Sequence, residues 1–264
     1  MLETLNSLWI GDRLRYMEQL CILSALDLGH PFRLYSYTPE ILRGVPTGVD
    51  LRDAREIMPI DKLVRDSGTG AVQPGSDIFR YILLTKESGY WVDMDFYFLK
   101  PLDFDEDYVF GWQNESAINN AILRIPANSN MASDLCNLPK TNWRPPWFGP
   151  KNTFLYYWRR FTKGDIKLEN LPWATLGPGL VTYLAEKHGV ADKAQERTVF
   201  YPVKYEDAHV IFEPADEAER MLTSRTRAVH FWQAKLVDRM AMPPPVGSYL
   251  DLACRRYGIE YDKT

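Results

Sequence analysis

The sequence predicts an α/β fold with a mostly parallel central sheet, and three observations support this. An apolar run at residues 5–10, helical spacing over 13–28 and a second apolar run at 32–37 open the chain as strand, helix and strand. That order favours parallel strands joined by a crossover helix. Further apolar runs alternate with helical segments along a chain of 264 residues, which suffices for one large domain or two small ones.

Composition is that of an ordinary globular protein, with 45% hydrophobic and 25% charged residues. A net charge of −4 gives no basic field for nucleic acid. Cys21, Cys136 and Cys254 lack metal-ligand spacing and are expected to be buried thiols in a reducing compartment. Neither a signal peptide nor a long apolar window is evident, so we expect a cytoplasmic protein, with peripheral association at the inner face of a membrane left open.

The first half continues with turn signals at 44–60, including a short strand at 49–51 and a short helix after it. Residues 66–76 are Gly-rich but lack the Gly-Lys-Ser/Thr ending of a phosphate-binding loop, so we expect a mobile loop near the mouth of a site. Ser76 is predicted to cap a helix over 77–87 that places Asp77 in its first turn. Arg80 lies three residues later, on the same helical face as Asp77.

The second half predicts further strands and helices without a repeat or a convincing linker, so residues 1–264 are interpreted as one domain. Strands are predicted at 108–112, 119–125, 198–203 and 228–232. Helices are predicted at 130–138, 153–161, 180–188, 216–224 and 248–257. The Pro- and Trp-rich stretch 139–150 is expected to form a covering loop.

Two acids stand out in the aromatic run of residues 89–99. Asp93 and Asp95 are two residues apart, and on a strand they would point to the same side. Burying two carboxylates is costly unless donors or a cation compensate, and hard cations such as Mn²⁺ or Mg²⁺ prefer carboxylate oxygens. The pattern therefore indicates a metal site, although a strand end with two solvated acids would look the same.

A longer pattern around these acids resembles a known family. Residues 76–81 (SDIFRY) and 88–95 (SGYWVDMD) resemble the signature of the DXD-containing sugar transferases of glycosyltransferase family 32. This family includes yeast initiating mannosyltransferases, α-1,4-galactosyl- and N-acetylglucosaminyltransferases and bacterial capsule or lipopolysaccharide enzymes. Two departures are mild, since Ser88 replaces a Gly and Trp91 replaces the usual Tyr.

Weaker matches follow in the family's order. They are the strand at 7–11 (SLWIG), Asn119-Asn120-Ala121, Gly177-Pro178-Gly179 and the late 229–232 (VHFW). Together the matches span about residues 5–235, and only the block from Asp77 to Asp95 is specific by itself.

The resemblance implies a GT-A type Rossmann-like fold that binds a nucleotide-diphosphate sugar. It implies a divalent metal, usually manganese, at the diphosphate, and retention of anomeric configuration. The donor-binding part would be about residues 1–112 and the acceptor-side part about 113–264. A hexose would pass to a glycan or lipid-linked acceptor, as in polysaccharide biosynthesis.

The resemblance also implies residue roles. Asp95 would bind the metal, Asp93 would contact both ribose and metal, and His230 would be a third metal ligand, unless it is only a core histidine. Asp77 and Arg80 would hold hydroxyls of the donor sugar, with Arg80 also suited to a phosphate; the alternative is a plain surface ion pair.

The remaining assignments are less defined. Trp9 would stack on the base or belong to the core, and Asn120 would reach the donor sugar or the acceptor. Gly177 and Gly179 would bring backbone N–H groups near acceptor or phosphate, or simply start a helix, and Trp232 would lie beside the donor. No carboxylate stands out as a nucleophile, so covalent and front-face mechanisms stay open.

Two other functions compete with a sugar transferase. Phosphatases of the haloacid dehalogenase type also carry Asp-x-Asp, but on their first strand with Thr or Val two residues later, whereas here Phe96 and Tyr97 follow the pair. A non-catalytic sugar-binding module is the second alternative, and the intact set of Asp77, Arg80, Asp93 and Asp95 argues against it.

Overall fold

The computed structural model describes residues 2–240 and 242–261. These residues form eight strands: β1 (Leu5–Trp9), β2 (Phe32–Ser36), β3 (Asp50–Asp53), β4 (Tyr90–Val92), β5 (Phe96–Phe98), β6 (Val109–Trp112), β7 (Ile118–Arg124) and β8 (Ala228–His230). Helices are α1 (Tyr16–Asp27), α2 (Gln73–Lys86), α3 (Asn130–Cys136), α4 (Pro150–Lys163), α5 (Leu180–Lys187), α6 (Arg197–Phe200), α7 (Ala215–Glu219) and α8 (Tyr249–Arg256).

The central sheet has six strands in the order β3-β2-β1-β4-β7-β6. The first four of these are parallel to one another, and β7 pairs antiparallel with both β4 and β6. This confirms the predicted mixed α/β fold with a mostly parallel sheet. The carboxyl ends of β1 and β4 share one edge with the start of the reversed strand β7, and ligands of open α/β sheets bind at such an edge.

Helices cover both faces of the sheet because successive strand residues point to opposite sides. Tyr90 and Val92 of β4 face a cluster that includes α1, β5, β8 and α8, while Trp91 faces a cluster with α2, α3 and α5. β5 and β8 form a separate antiparallel pair, with Phe96 opposite His230.

The start of α2 corrects the sequence prediction. The helix begins at Gln73 with Val72 as its N-cap and a proline in the first turn, so Ser76 is not the cap and Asp77 lies in the second turn. Proline is well suited to a first turn because its fixed φ matches the helix and its missing N–H is not needed there.

The strand predicted at residues 198–203 was wrong, because residues 197–200 form the short helix α6. Gln195 is the residue that meets the sheet edge, where its N–H donates to the carbonyl of Phe110 at 2.8 Å. The apolar run that follows turns inward and buries Val199 and Phe200. Such a short run has no periodicity that separates a buried strand from a buried helical turn.

The other predicted strands and helices are present, with ends shifted by a few residues. Ser248 caps α8, with its side-chain oxygen accepting from the backbone N–H of Asp251. Within the described residues, no helix combines the length and the apolar character that crossing a bilayer would require.

Candidate functional site

The two acids lie in the turn that connects β4 to β5. Asp93 follows Val92, and Asp95 precedes Phe96, so the pair does not sit on one continuous strand as the sequence predicted. Pairing of β5 with β8 brings His230 to the same place. One side-chain ligand atom from each of Asp93, Asp95 and His230 lies within 4.8 Å of the other two.

Asp95 is held by the chain around β8. Its Oδ1 lies 3.1 Å from His230 Nε2, and its Oδ2 accepts from the backbone N–H of Gln233 at 2.9 Å. The N–H of Phe231 donates to the Asp95 carbonyl at 2.9 Å. Burial opposes ionisation, but His230 and the Gln233 N–H outweigh it and lower the pKa of Asp95.

Asp93 is held from the other side, by α2 and β4. Its Oδ1 accepts from the indole N–H of Trp91 at 2.8 Å and from Arg80 Nη1 at 3.0 Å. Burial raises the pKa of Asp93, Arg80 counteracts this, and the nearby Asp95 adds to the rise. Two carboxylates this close repel each other when both are charged, so a cation between them would relieve the repulsion.

Arg80 joins the acids to the sheet and is itself buried. Its guanidinium pairs with Asp77 at 3.2 Å as well as with Asp93, and it donates to the carbonyl of Asn120 at 2.7 Å. It also lies over the Trp91 ring, with 4.7 Å from Cζ to the ring centroid. Helix α2 therefore reaches the acids, and Asp77 and Arg80 form a buried rather than a surface pair.

Asp77 and Asn120 form the far side of the site. Asn120 Nδ2 donates to Asp77 Oδ1 at 2.7 Å, and Gln73 donates to the other carboxylate oxygen. A Cβ built on Gly177 would lie 3.0 Å from Asn120 Oδ1 and 3.2 Å from Asp77 Oδ2, so this backbone packs directly on the pair. Burial raises the pKa of Asp77 to about 6, although Arg80 and Asn120 oppose the rise.

Three other predicted residues lie around this centre in different ways. Trp9 is half-buried at the end of β1, and its indole N–H donates to the Arg13 carbonyl at 3.0 Å. Gly179 packs against Trp147, with 2.8 Å from a built Cβ to the indole nitrogen, and not against the acids.

Trp232 lies beside His230, with ring centroids 4.2 Å apart. Its backbone is left-handed (φ 56°), a costly conformation for a bulky residue and one that concentrates at functional sites. A cleft of about 970 Å³ opens next to it, with a rim of aromatic, amide and charged side chains: Trp112, Gln113, Asn114, Glu115, Ser116, Arg197, Lys204, Tyr205, Glu206 and Trp232.

The donor set of the acid cluster fits a divalent cation. Carboxylate oxygens with one imidazole nitrogen suit Mn²⁺, and carboxylates also suit Mg²⁺. His230 Nε2 faces the Asp95 carboxylate, whereas Nδ1 is buried without a hydrogen-bond partner among the described residues. Asp93, Asp95 and His230 are thus the residues that would hold a metal.

Sequence reasoning missed three contributors to the site. Trp91 is two residues before Asp93 and Gln73 is one helical turn before Asp77, so strand and helix spacing could have indicated both. Gln233 contributes a backbone N–H to Asp95 across 138 residues, and no local pattern signals such a contact.

Comparisons with known proteins give little beyond coarse shape. No protein-family model and no curated protein matches the sequence. Among solved structures, this chain is similar to one titled "PaToxG Glycosyltransferase", with a TM-score of 0.42 and 14% identity over 70% of this chain and 67% of that one. Both values are low, and the likeness is one of coarse shape alone.

Proposed function

We propose that this chain is a metal-dependent, retaining glycosyltransferase of GT-A type. It would move a hexose from a nucleotide-diphosphate sugar to a glycan or lipid-linked acceptor. The observation that carries the proposal is the convergence of Asp93, Asp95 and His230 beside the buried Asp77–Arg80 pair at the ligand-binding edge of the sheet. Retention and the donor class come from the resemblance to family 32. So does the division of the single domain into a donor-binding part, about residues 1–112, and an acceptor-side part, about residues 113–264.

Each part of the site has a role in this reaction. When bound, Mn²⁺ or Mg²⁺ would act as a Lewis acid toward the diphosphate leaving group. Arg80 pairs with both Asp77 and Asp93 and so fixes the positions of these two carboxylates relative to one another. Asp77 and Asn120 supply polar atoms for sugar hydroxyls, and the absence of a side chain at Gly177 lets its backbone pack against this pair.

The cleft beside Trp232 is our candidate for the acceptor. Aromatic rings such as Trp112 and Tyr205 provide faces on which sugars stack, and the amides and charges of its rim can hydrogen-bond hydroxyls. The cleft is lined by Trp232, whose ring lies beside His230, and this contact with the β8 side of the acids supports the assignment.

The deciding experiment measures nucleoside diphosphate release from a panel of UDP- and GDP-hexoses, with Mn²⁺ or with EDTA. We expect release with one donor in Mn²⁺ only, and a loss of about 100-fold or more in Asp95→Asn. Asp192→Asn, which changes an exposed acid, is the matched control. Unchanged turnover in Asp95→Asn, or no release and no thermal shift with any donor, would contradict the proposal.

The same preparation separates the alternatives. A haloacid dehalogenase-type phosphatase would release phosphate from a generic phosphate ester, which we do not expect. A sugar-binding module would show metal-dependent thermal shifts with a nucleotide sugar but no turnover with any acceptor.

A further inference from the structure

Helix α4 turns its aromatic side outward. Phe154, Tyr157, Trp158 and Phe161 follow the i, i+3, i+4, i+7 spacing of one helical face, yet they are 66, 51, 56 and 86% exposed. Tyr156 is the buried residue of the helix and lies on the other side, in a small cluster with Leu176. We call the four exposed rings the aromatic stripe. A face of this composition normally packs against a core, so its exposure indicates a binding surface.

The surroundings of the stripe are strongly cationic. The helix itself carries Lys151, Arg159, Arg160 and Lys163, and residues 135–164 contain six of the chain's 31 cations and none of its 35 acids. Within the described residues, no carboxylate forms an ion pair with these four side chains. This stands out in a chain with a net charge of −4.

Exposed aromatic rings together with these cations indicate what kind of partner binds α4. Trp and Tyr favour the boundary between headgroups and acyl chains, and Lys and Arg reach back to anionic headgroups. A second copy of the chain bound to the stripe would bring the Lys and Arg side chains of two α4 helices close together, and like-charge repulsion opposes this. We propose that α4 lies flat on an anionic lipid bilayer, with the aromatic stripe inserted at the interface.

Docking through α4 would also orient the candidate site. Tyr156 packs in one cluster with Leu176. The next residue is Gly177, whose backbone packs against Asp77 and Asn120. If the proposed function holds, and this step rests on it, the acceptor is lipid-linked rather than a free glycan. Binding to vesicles requires no sugar chemistry, so the docking surface can be tested whether or not the transferase proposal survives.

The test is sedimentation of the whole chain with phosphatidylcholine vesicles, with and without phosphatidylglycerol. We expect binding to the anionic vesicles that falls with salt. Trp158→Ser with Phe161→Ser should weaken it by about tenfold or more. Arg160→Gln with Lys163→Gln should weaken it by about fivefold per cation, the ratio that corresponds to about 1 kcal/mol each.

Matched controls change exposed residues elsewhere, with Val237→Ser plus Val246→Ser for the rings and Lys62→Gln plus Lys193→Gln for the cations. Trp158→Phe should still bind but lose part of the blue shift of tryptophan fluorescence on vesicles. Equal binding of stripe variants and controls would overturn the proposal. So would equal binding to neutral vesicles, or a dimer in solution that the stripe variants dissociate.

Discussion

Arg80 and Asp93 form an ion pair, 3.0 Å from Nη1 to Oδ1, between a buried guanidinium and a partly exposed carboxylate, and the pair joins helix α2 to the turn carrying both acids. The same guanidinium pairs with Asp77 at 3.2 Å. One cation therefore compensates two carboxylates that belong to different elements. The arrangement links stability to the geometry of the candidate site, because the contacts that hold the turn also place Asp93.

Replacing Arg80 tests this link. Arg80→Ala leaves the buried Asp77 carboxylate and the partly exposed Asp93 carboxylate without their cation. Removing one partner of a buried pair costs about 3–5 kcal/mol. Urea unfolding should show a loss of that size. Arg220→Ala, which breaks exposed pairs with Asp216 and Glu217, should cost less than about 1 kcal/mol. Similar losses in the two variants would show that the Arg80 pairs are not compensating buried charge.

Asp77 predicts a pH dependence of stability. Burial raises its folded-state pKa to about 6, above the ordinary value of 3.8, so the folded state holds this proton more tightly than the unfolded chain. The contribution of Asp77 to the free energy of unfolding is fully present below about pH 4 and is lost as pH rises through 6. Relative to Asp77→Asn, the wild type should therefore lose about 3 kcal/mol between pH 4 and pH 7.

Asp50 gives a control of opposite sign. A hydrogen bond from Arg52, helped by Arg33, lowers the pKa of Asp50. Wild type should gain stability relative to Asp50→Asn as pH rises through the acid range. Urea midpoints measured for the three proteins across this range check both signs, and a pH-independent difference for Asp77→Asn would contradict the first.

His230 should control metal affinity. In His230→Gln the Asp93 and Asp95 carboxylates stay but the imidazole donor is lost, so Mn²⁺ should bind about tenfold more weakly or worse. Titration followed by the electron paramagnetic resonance of free Mn²⁺ measures this without any turnover. His188→Gln is the control, since His188 pairs with Asp134 on the surface. Equal affinities in both variants would remove His230 from the metal site.

The sheet and the residues of the candidate site could be predicted from the sequence because the patterns that indicate them lie within short stretches of the chain. Apolar runs of strand length, helical spacing in α1 and the separation of Asp77 from Arg80 all act within a few residues. The Asp93–Asp95 spacing correctly suggested convergence. The reason was wrong, since a turn and the pairing of β5 with β8 produce it.

What the sequence could not indicate depends on distant contacts. The Gln233 N–H on Asp95, the Gly177 backbone against Asn120 and the helical turn at 197–200 are each decided by elements far away in the chain. The outward face of α4 is a further case, because its spacing is that of a buried helix and only the folded chain leaves it exposed.

Gly89 positions the strand that leads to the acids, and its replacement should be costly. Its φ is +100°, and a Cβ added there would lie 2.1 Å from the carbonyl oxygen of Thr4, which accepts the N–H of Tyr90 at 2.9 Å. Gly89→Ala must therefore strain the backbone, at about 1–3 kcal/mol, and also push β4 away from the chain before β1.

Gly70→Ala separates these two effects. Gly70 also has a positive φ, +72°, but nothing lies within 4 Å of its built Cβ, so only the conformational cost applies. Urea unfolding should show the larger loss for Gly89→Ala, and Mn²⁺ affinity should fall in that variant alone, because Asp93 is four residues along the same strand and turn. Equal losses of stability with unchanged Mn²⁺ affinity would mean that contact with Thr4 does not set the position of the acids.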